Sequence, residues 1–247
     1  MKRIRWAAGR LLRRMGYELT SIKGHERFSR AGTVDAVKPY TLTTRDRITG
    51  LCDAVDYIVE SGIRGAVVEC GVWRGGSMMA VALTLLENGE VDRDLFLYDT
   101  FDGMVEPSDL DLDYRGVPVR DKWLRSNPRE SGSDWIAVPK TEVEGAMATT
   151  GYPMDRVHMV EGRVEDTIPD VAPDEIALLR LDTDLYESYA HVLKHLADRV
   201  ADGGVVIFDD YVHYLGAQRA VDEWVESWPR PLFLTRIGSA RMAVLWR

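Results

Sequence analysis

Short apolar runs rich in β-branched residues recur at 66–70, 95–98, 157–160, 176–181 and 204–208. Stretches with apolar residues three and four apart separate several of them. Over 46–61, Ile48, Leu51, Cys52, Val55, Ile58 and Val59 share one face. That spacing predicts a helix opened by Thr43 or Thr44 and stopped by Gly62. A second helical pattern, 187–200, closes on Gly203-Gly204. Strands alternating with helices predict βαβ units and an α/β fold with a doubly wound, mostly parallel sheet. The last two apolar runs, 232–237 and 241–246, flank Gly238-Ser239-Ala240 and read as a hairpin. An antiparallel terminal strand is therefore expected.

Two segments break this rhythm. Residues 102–140 hold four prolines and no sustained apolar period. A long insertion of this kind in a compact domain is usually functional. It directly follows a predicted strand end, so it is read as a lid over the ligand crevice, with Trp123 and Trp135 as apolar anchors. The other segment is the N-terminal arm, about 1–40, ahead of a main domain over 41–247. Residues 1–30 carry nine lysines and arginines against two acids. Basic residues there alternate with Trp6, Leu11, Leu12 and Met15, as in an amphipathic helix. Such a helix caps a domain, packs on a partner subunit or rests weakly on an anionic membrane surface. A homodimer is the expected assembly.

Composition narrows the field. With 247 residues and 45% hydrophobic content the chain can bury a full core. A net charge of −9 argues against nucleic acid as a partner, because phosphate binding needs a basic surface. No run is long and apolar enough for a signal peptide or a transmembrane span. Cys52 and Cys70 make no disulfide framework and fit a reducing, cytoplasmic setting.

Candidate chemistry gathers at predicted strand ends. The first strand runs into VVECGVWRGGS, where Glu69 precedes Gly71, Gly75 and Gly76 and a helix starts near Ser77. In open α/β sheets ligands bind outside the C-terminal strand ends, and glycines let the backbone approach them closely. The spacing is G-x-x-x-G-G, which disfavours a dinucleotide. Glu69 would repel a pyrophosphate but suits a cationic ligand, such as a sulfonium or an ammonium. Asp99 ends the second strand, in LFLYDTFDG, where it can accept hydrogen bonds from ribose hydroxyls. Together these residues point to S-adenosylmethionine. A nicotinamide oxidoreductase is the alternative, and a non-catalytic scaffold of the same fold is a third reading.

Asp182 and Asp184 follow the fourth strand in LLRLDTDLY; Asp209 and Asp210 follow the fifth in GGVVIFDDY. Neighbouring strands of this sheet type bring such carboxylates together, and a divalent cation relieves their repulsion. All-oxygen ligands favour Mg²⁺. Beside a sulfonium donor, this arrangement suits activation of a hydroxyl. Asp182 is the first candidate for the base, Asp184 the second and His213 the third. His191 and His195 lie one helical turn apart without zinc-type partners and read as a helix face.

The segments VVECGVWRGGS, YDTFDGM, LLRLDTDLYES and GGVVIFDDY resemble, in order and separation, the macrocin O-methyltransferase family. The resemblance covers about residues 40–225. It implies a class I, Rossmann-like methyltransferase fold with a seven-stranded sheet. It also implies transfer of methyl from S-adenosylmethionine to a sugar hydroxyl, with Mg²⁺. The acceptor would be a saccharide precursor or a glycosylated antibiotic intermediate. By the same resemblance, Asp182, Asp209 and Asp210 are metal ligands and Asp182 the base. Glu69, Gly71, Ser77 and Asp99 contact the cofactor, with the backbone near Thr41 and Glu161-Gly162.

Overall fold

The computed structural model of the chain describes residues 30–246. The chain divides into two compact units, 1–32 and 33–247. The basic amphipathic helix expected in the arm falls outside the described residues. The second unit contains the sheet.

Seven strands lie in the order β3-β2-β1-β4-β5-β7-β6. Their ranges are β1 Ala66–Cys70, β2 Leu95–Asp99, β3 Val157–Glu161, β4 Ile176–Leu181, β5 Val200–Phe208, β6 Thr235–Ile237 and β7 Ala240–Val244. The first five are parallel. β7 runs antiparallel to β5, and β6 antiparallel to β7, joined through Gly238 at φ +58°. The expected sheet and its antiparallel end both form. The chain winds outward from β1 to β3, then crosses back to β4. That reversal leaves a crevice above the C-terminal ends of β1 and β4.

Helices cover both faces. On one side α1 (Arg45–Glu60), α2 (Gly76–Glu87) and α3 (Lys140–Ala148) pack on Val67, Leu95, Leu97 and Leu178. On the other, α4 (Tyr186–Leu196) and α5 (Leu215–Ser227) pack on Val68, Leu179, Leu181 and Phe208. The period of two along each strand explains the split. Ile48, Leu51, Cys52, Val55 and Ile58 turn inward from α1, as their spacing predicts. The pattern over 187–200 does not continue as one helix. α4 stops at Leu196, a 3₁₀ turn covers Ala197–Arg199, and Val200 already pairs with Ile176. A β-branched apolar residue facing a strand was better used there than in a last helical turn.

The insertion after β2 has one short helix, Arg120–Trp123, and its own small core. Met104, Val119, Trp123 and Leu185 are buried in it, with Trp135 and Tyr214 packed alongside. The Trp123 indole N–H donates to the Met104 carbonyl at 3.0 Å.

Candidate active site

The turn after β1 is shaped by a close crossing. Gly71 has φ +86°, and a Cβ there would sit 2.0 Å from the Asp182 carbonyl oxygen. Only glycine lets the turn pass directly over the end of β4. The Asp182 N–H donates to the Cys70 carbonyl at 2.8 Å, so turn and aspartate are one rigid corner. Asp99 locks the turn from the neighbouring strand. Its Oδ2 accepts from the N–H groups of Val72 (2.7 Å) and Trp73 (3.0 Å), and its Oδ1 from Phe101 (2.9 Å). A carboxylate has about four acceptor sites. The three backbone bonds and a longer one from the Thr100 hydroxyl at 3.5 Å occupy these sites.

The acids divide into two groups. Oxygens of Asp182, Asp184 and Asp210 all lie within 4.8 Å of one another. Asp210 is buried; its Oδ2 accepts from the Asp184 N–H (3.0 Å) and the Tyr189 hydroxyl (3.0 Å). Asp184 adopts φ +65°, which swings its side chain toward Asp210. Burial, then the charge of Asp182, pushes the Asp184 carboxyl up to about 7. Burial also holds Asp182 and Asp210 well above the usual carboxylate range.

Asp209 stands apart from this trio. The sequence reading made it a metal ligand, but arginines engage both its oxygens. Arg180 Nη2 lies 2.7 Å from Oδ1, and Arg47 Nη1 bonds Oδ2. The group of three acids that converges is Asp182, Asp184 and Asp210 instead.

Arg180 organises the floor beneath them. Side chains at 69 and 180 are direct partners across β1 and β4, on the same face. Arg180 Nη1 bonds Glu69 Oε1 and lies 2.8 Å from Asp182 Oδ2, while Nη2 donates to Thr43 Oγ1 at 3.2 Å. Glu69 is thus already paired with a cation and buried at 1% exposure, not open to a cationic ligand as its position suggested. Burial outweighs Arg180 and pushes the Glu69 carboxyl up to about 7, and its Oε2 lacks a hydrogen-bond partner.

One cavity of about 600 Å³ runs across this edge. Thr41, Gly71, Ser77, Asp99 and Gly162 line one part; Asp182, Asp184, Asp209, Asp210 and His213 line another. Glu161 does not line it; its exposed carboxylate lies 3.7 Å from Lys140. His213 is held by Ser239 Oγ at 2.8 Å, and burial, then Arg47, lowers its pKa. His191 bonds the Ile168 carbonyl and its ring lies tilted against that of His195, 4.5 Å between centroids, away from the cavity lining. From the insertion come Tyr114, Val117, Lys122 and Trp135. The Lys122 ammonium sits 3.7 Å from the Trp135 ring centroid, a cation–π contact.

The family description Macrocin-O-methyltransferase (TylF) matches residues 10–247. The chain belongs to this family. A relative in Streptomyces olivaceus, 8-demethyl-8-(2,3-dimethoxy-alpha-L-rhamnosyl)-tetracenomycin-C 4'-O-methyltransferase, is 33% identical over 70% of this chain and 62% of its own length. Demethyldecarbamoylnovobiocin O-methyltransferase of Streptomyces niveus is 31% identical over 75% and 67%. The chain thus spans roughly two thirds of the length of these curated relatives. Among solved structures, the O-methyltransferase NovP aligns at TM-score 0.74 and 27% identity, covering 84% of this chain and 83% of NovP. The calicheamicin methyltransferase CalS11 shares the fold at TM-score 0.60 and 20% identity, over 94% and 96%. The fold shared with these two structures is the one described above.

Sequence reasoning missed Arg180, Arg47 and Tyr189. Arg180 had a signal: an arginine inside an otherwise apolar strand needs a buried anion, and Glu69 occupies the corresponding place on another strand. Arg47 had none, since a charged residue near a helix start is ordinary.

Proposed function

We propose that this protein transfers the methyl group of S-adenosylmethionine to a sugar hydroxyl, with a divalent metal ion, preferably Mg²⁺, at the acidic trio. The acceptor class is a glycosylated antibiotic intermediate or an oligosaccharide precursor. The observation that carries this reading is the meeting of Asp182, Asp184 and Asp210 beside the glycine turn, in one cavity, in a member of the macrocin O-methyltransferase family. The rhamnosyl group in the name of the Streptomyces olivaceus relative supports a sugar acceptor.

Both groups fit the residues. The metal donors are all hard oxygens, and burial, then the charges of neighbouring acids, raises the pKa values of Asp182 and Asp210 against the pull of Arg180 on Asp182. Asp182 and Asp210 would hold the ion, with Asp184 adjoining. A divalent ion there supplies positive charge that makes a neighbouring alcohol more acidic. For the donor, Thr41, Gly71, Ser77 and Gly162 give a wall of backbone and small side chains, and the cavity has the size of an ordinary ligand site. S-adenosylmethionine supplies a methyl group on a sulfonium, open to attack by oxygen.

The chain's own residues then share the work. Asp184 takes the proton of the acceptor hydroxyl at its carboxylate. It is preferred over Asp182, whose Oδ2 is tied to Arg180, and over His213, which Ser239 holds. The rigid corner at Gly71 and Asp182 fixes donor and acceptor at one separation, which supplies the orientation part of the rate. The insertion covers the acceptor side and excludes water, with Trp135 and Lys122 as its inner surface.

Two tests address the two groups separately. Calorimetric titration should show S-adenosylmethionine binding, and no binding would remove it as donor. Mass spectrometry of candidate saccharides should show one added methylene unit with Mg²⁺ present. EDTA should stop that gain and fresh Mg²⁺ restore it; full turnover in chelator would exclude the metal. Asp99→Asn should weaken S-adenosylmethionine by about 5- to 150-fold, as expected for about 1–3 kcal/mol from amide N–H groups left unmatched. An unchanged Kd would mean that the turn holds its shape without that carboxylate.

A further inference from the structure

Asp111 lies in the insertion, 1% exposed, with every contact of its carboxylate made inside the protein. Oδ2 accepts from the backbone N–H and the hydroxyl of Ser108, both at 2.8 Å. Oδ1 accepts from the Tyr186 N–H at 2.7 Å, across 75 residues of chain. Tyr186 is the first residue of α4, and Leu185 at its N-cap offers no side-chain acceptor. An orphan N–H at a helix start needs one. Asp111 supplies it from a different segment.

The neighbouring residues are stitched to the other acid-bearing loop. The Leu215 N–H, at the start of α5, donates to the Leu112 carbonyl at 2.8 Å, and the Tyr114 N–H to the His213 carbonyl at 2.9 Å. Asp113 bridges Tyr214. A Cβ on Gly216 would lie 2.4 Å from Asp111 Oδ1, so α5 carries a glycine where this carboxylate passes. The segment 111–114 therefore touches both the start of α4 after β4 and the loop after β5, and its Tyr114, with Val117 just beyond, lines the cavity.

We propose that Asp111 is a positioning residue: by capping α4 from the insertion it sets Asp184, two residues upstream of Tyr186, in register with the acceptor wall. This rests on the methyl-transfer reading above, because the register matters only if an acceptor meets Asp184. Loss of Asp111 frees the first turn of α4 and lets the insertion drift from the acids. Among the described residues no hydrogen bond joins Asp111 to the donor turn built from β1 and Asp99.

Hydrogen–deuterium exchange on the full chain tests the cap without reference to activity. In Asp111→Ala, amides 184–187 should exchange at least about tenfold faster than in the parent, while S-adenosylmethionine Kd stays within about twofold. With a methylated acceptor in hand, kcat should fall about 10- to 100-fold and acceptor KM should rise. Asp111→Asn keeps an oxygen for the Tyr186 N–H and should recover most of both. Gly216→Ala crowds the same carboxylate from α5 and should reproduce the faster exchange should Asp111→Ala not fold. Unchanged exchange in both Asp111→Ala and Gly216→Ala overturns the cap. Faster exchange with unchanged kcat overturns the positioning role. A parent protein that binds no S-adenosylmethionine sinks the methyl-transfer reading instead, and the exchange result then still decides the cap.

Discussion

Asp210→Asn is expected to lower methyl transfer by about a thousandfold, the rate equivalent of about 4 kcal/mol of lost charge stabilisation at the reacting oxygen. The substitution is nearly isosteric. Its remaining oxygen can still accept from the Asp184 N–H and the Tyr189 hydroxyl, so the corner keeps its shape. What disappears is one negative charge of the trio. Donor binding, which depends on the turn after β1, should stay within about twofold of the parent. Initial rates at saturating donor and Mg²⁺ check this, and activity within tenfold of the parent would remove the trio from the chemistry. Stability supplies a second readout. Burial and the charge of Asp182 push Asp184 up to about 7, above its unfolded value, so between about pH 4 and 7 this carboxyl binds more protons in the folded chain than in the unfolded one. Its contribution to the stability of metal-free protein should therefore be greatest at the acid end of that window and be lost as pH rises to 7. Burial holds Asp210 itself above the usual carboxylate range, so Asp210→Asn removes one group that takes up a proton on folding and should flatten that slope. Denaturant midpoints at several pH values, in chelator, would show it.

Much of this site could be read in the chain because its residues stand at strand ends, where alternation and glycine turns mark the boundaries. Gly71 and the aspartates after β4 and β5 are placed by backbone geometry that a period of two reveals. Glu69 was located correctly and its surroundings misjudged. A lone acid looked available for a cationic ligand, whereas its register partner on β4 is Arg180. Pairing of β1 with β4 crosses more than a hundred residues, and no local pattern encodes register at that distance. The same holds for Asp209. Its position predicted convergence with Asp182 and Asp210, but two arginines from α1 and β4 claim both oxygens. Asp111 was hidden for another reason. It sits among the acids of SDLDLDY, where nothing local separates a buried helix cap from a solvated charge.

Arg180→Met should destabilise the fold by about 3–5 kcal/mol, because it removes one partner from a buried ion cluster. Glu69, Asp182 and Asp209 all meet this guanidinium, and its side chain is 3% exposed. Methionine matches the volume and hydrophobicity of the stem, so little of the loss comes from packing. The cost lies in three acids left facing one another. Asp209 keeps Arg47, while Glu69 loses the cation that opposes the upward pull of burial on its pKa. For a chain of this length the expected drop in melting temperature is about 6–20 °C. Arg180→Lys should fall between parent and Met, since one ammonium cannot span three carboxylates as a planar guanidinium does. Mg²⁺ should restore part of the lost stability in Arg180→Met, because a cation at Asp182 and Asp210 replaces some of the missing charge. A melting temperature within 1–2 °C of the parent would show that these carboxylates take up protons on folding and never depended on the arginine. The salt and metal dependence of the Met variant discriminates further, since a cluster held only by protonation would respond to pH and not to the ion.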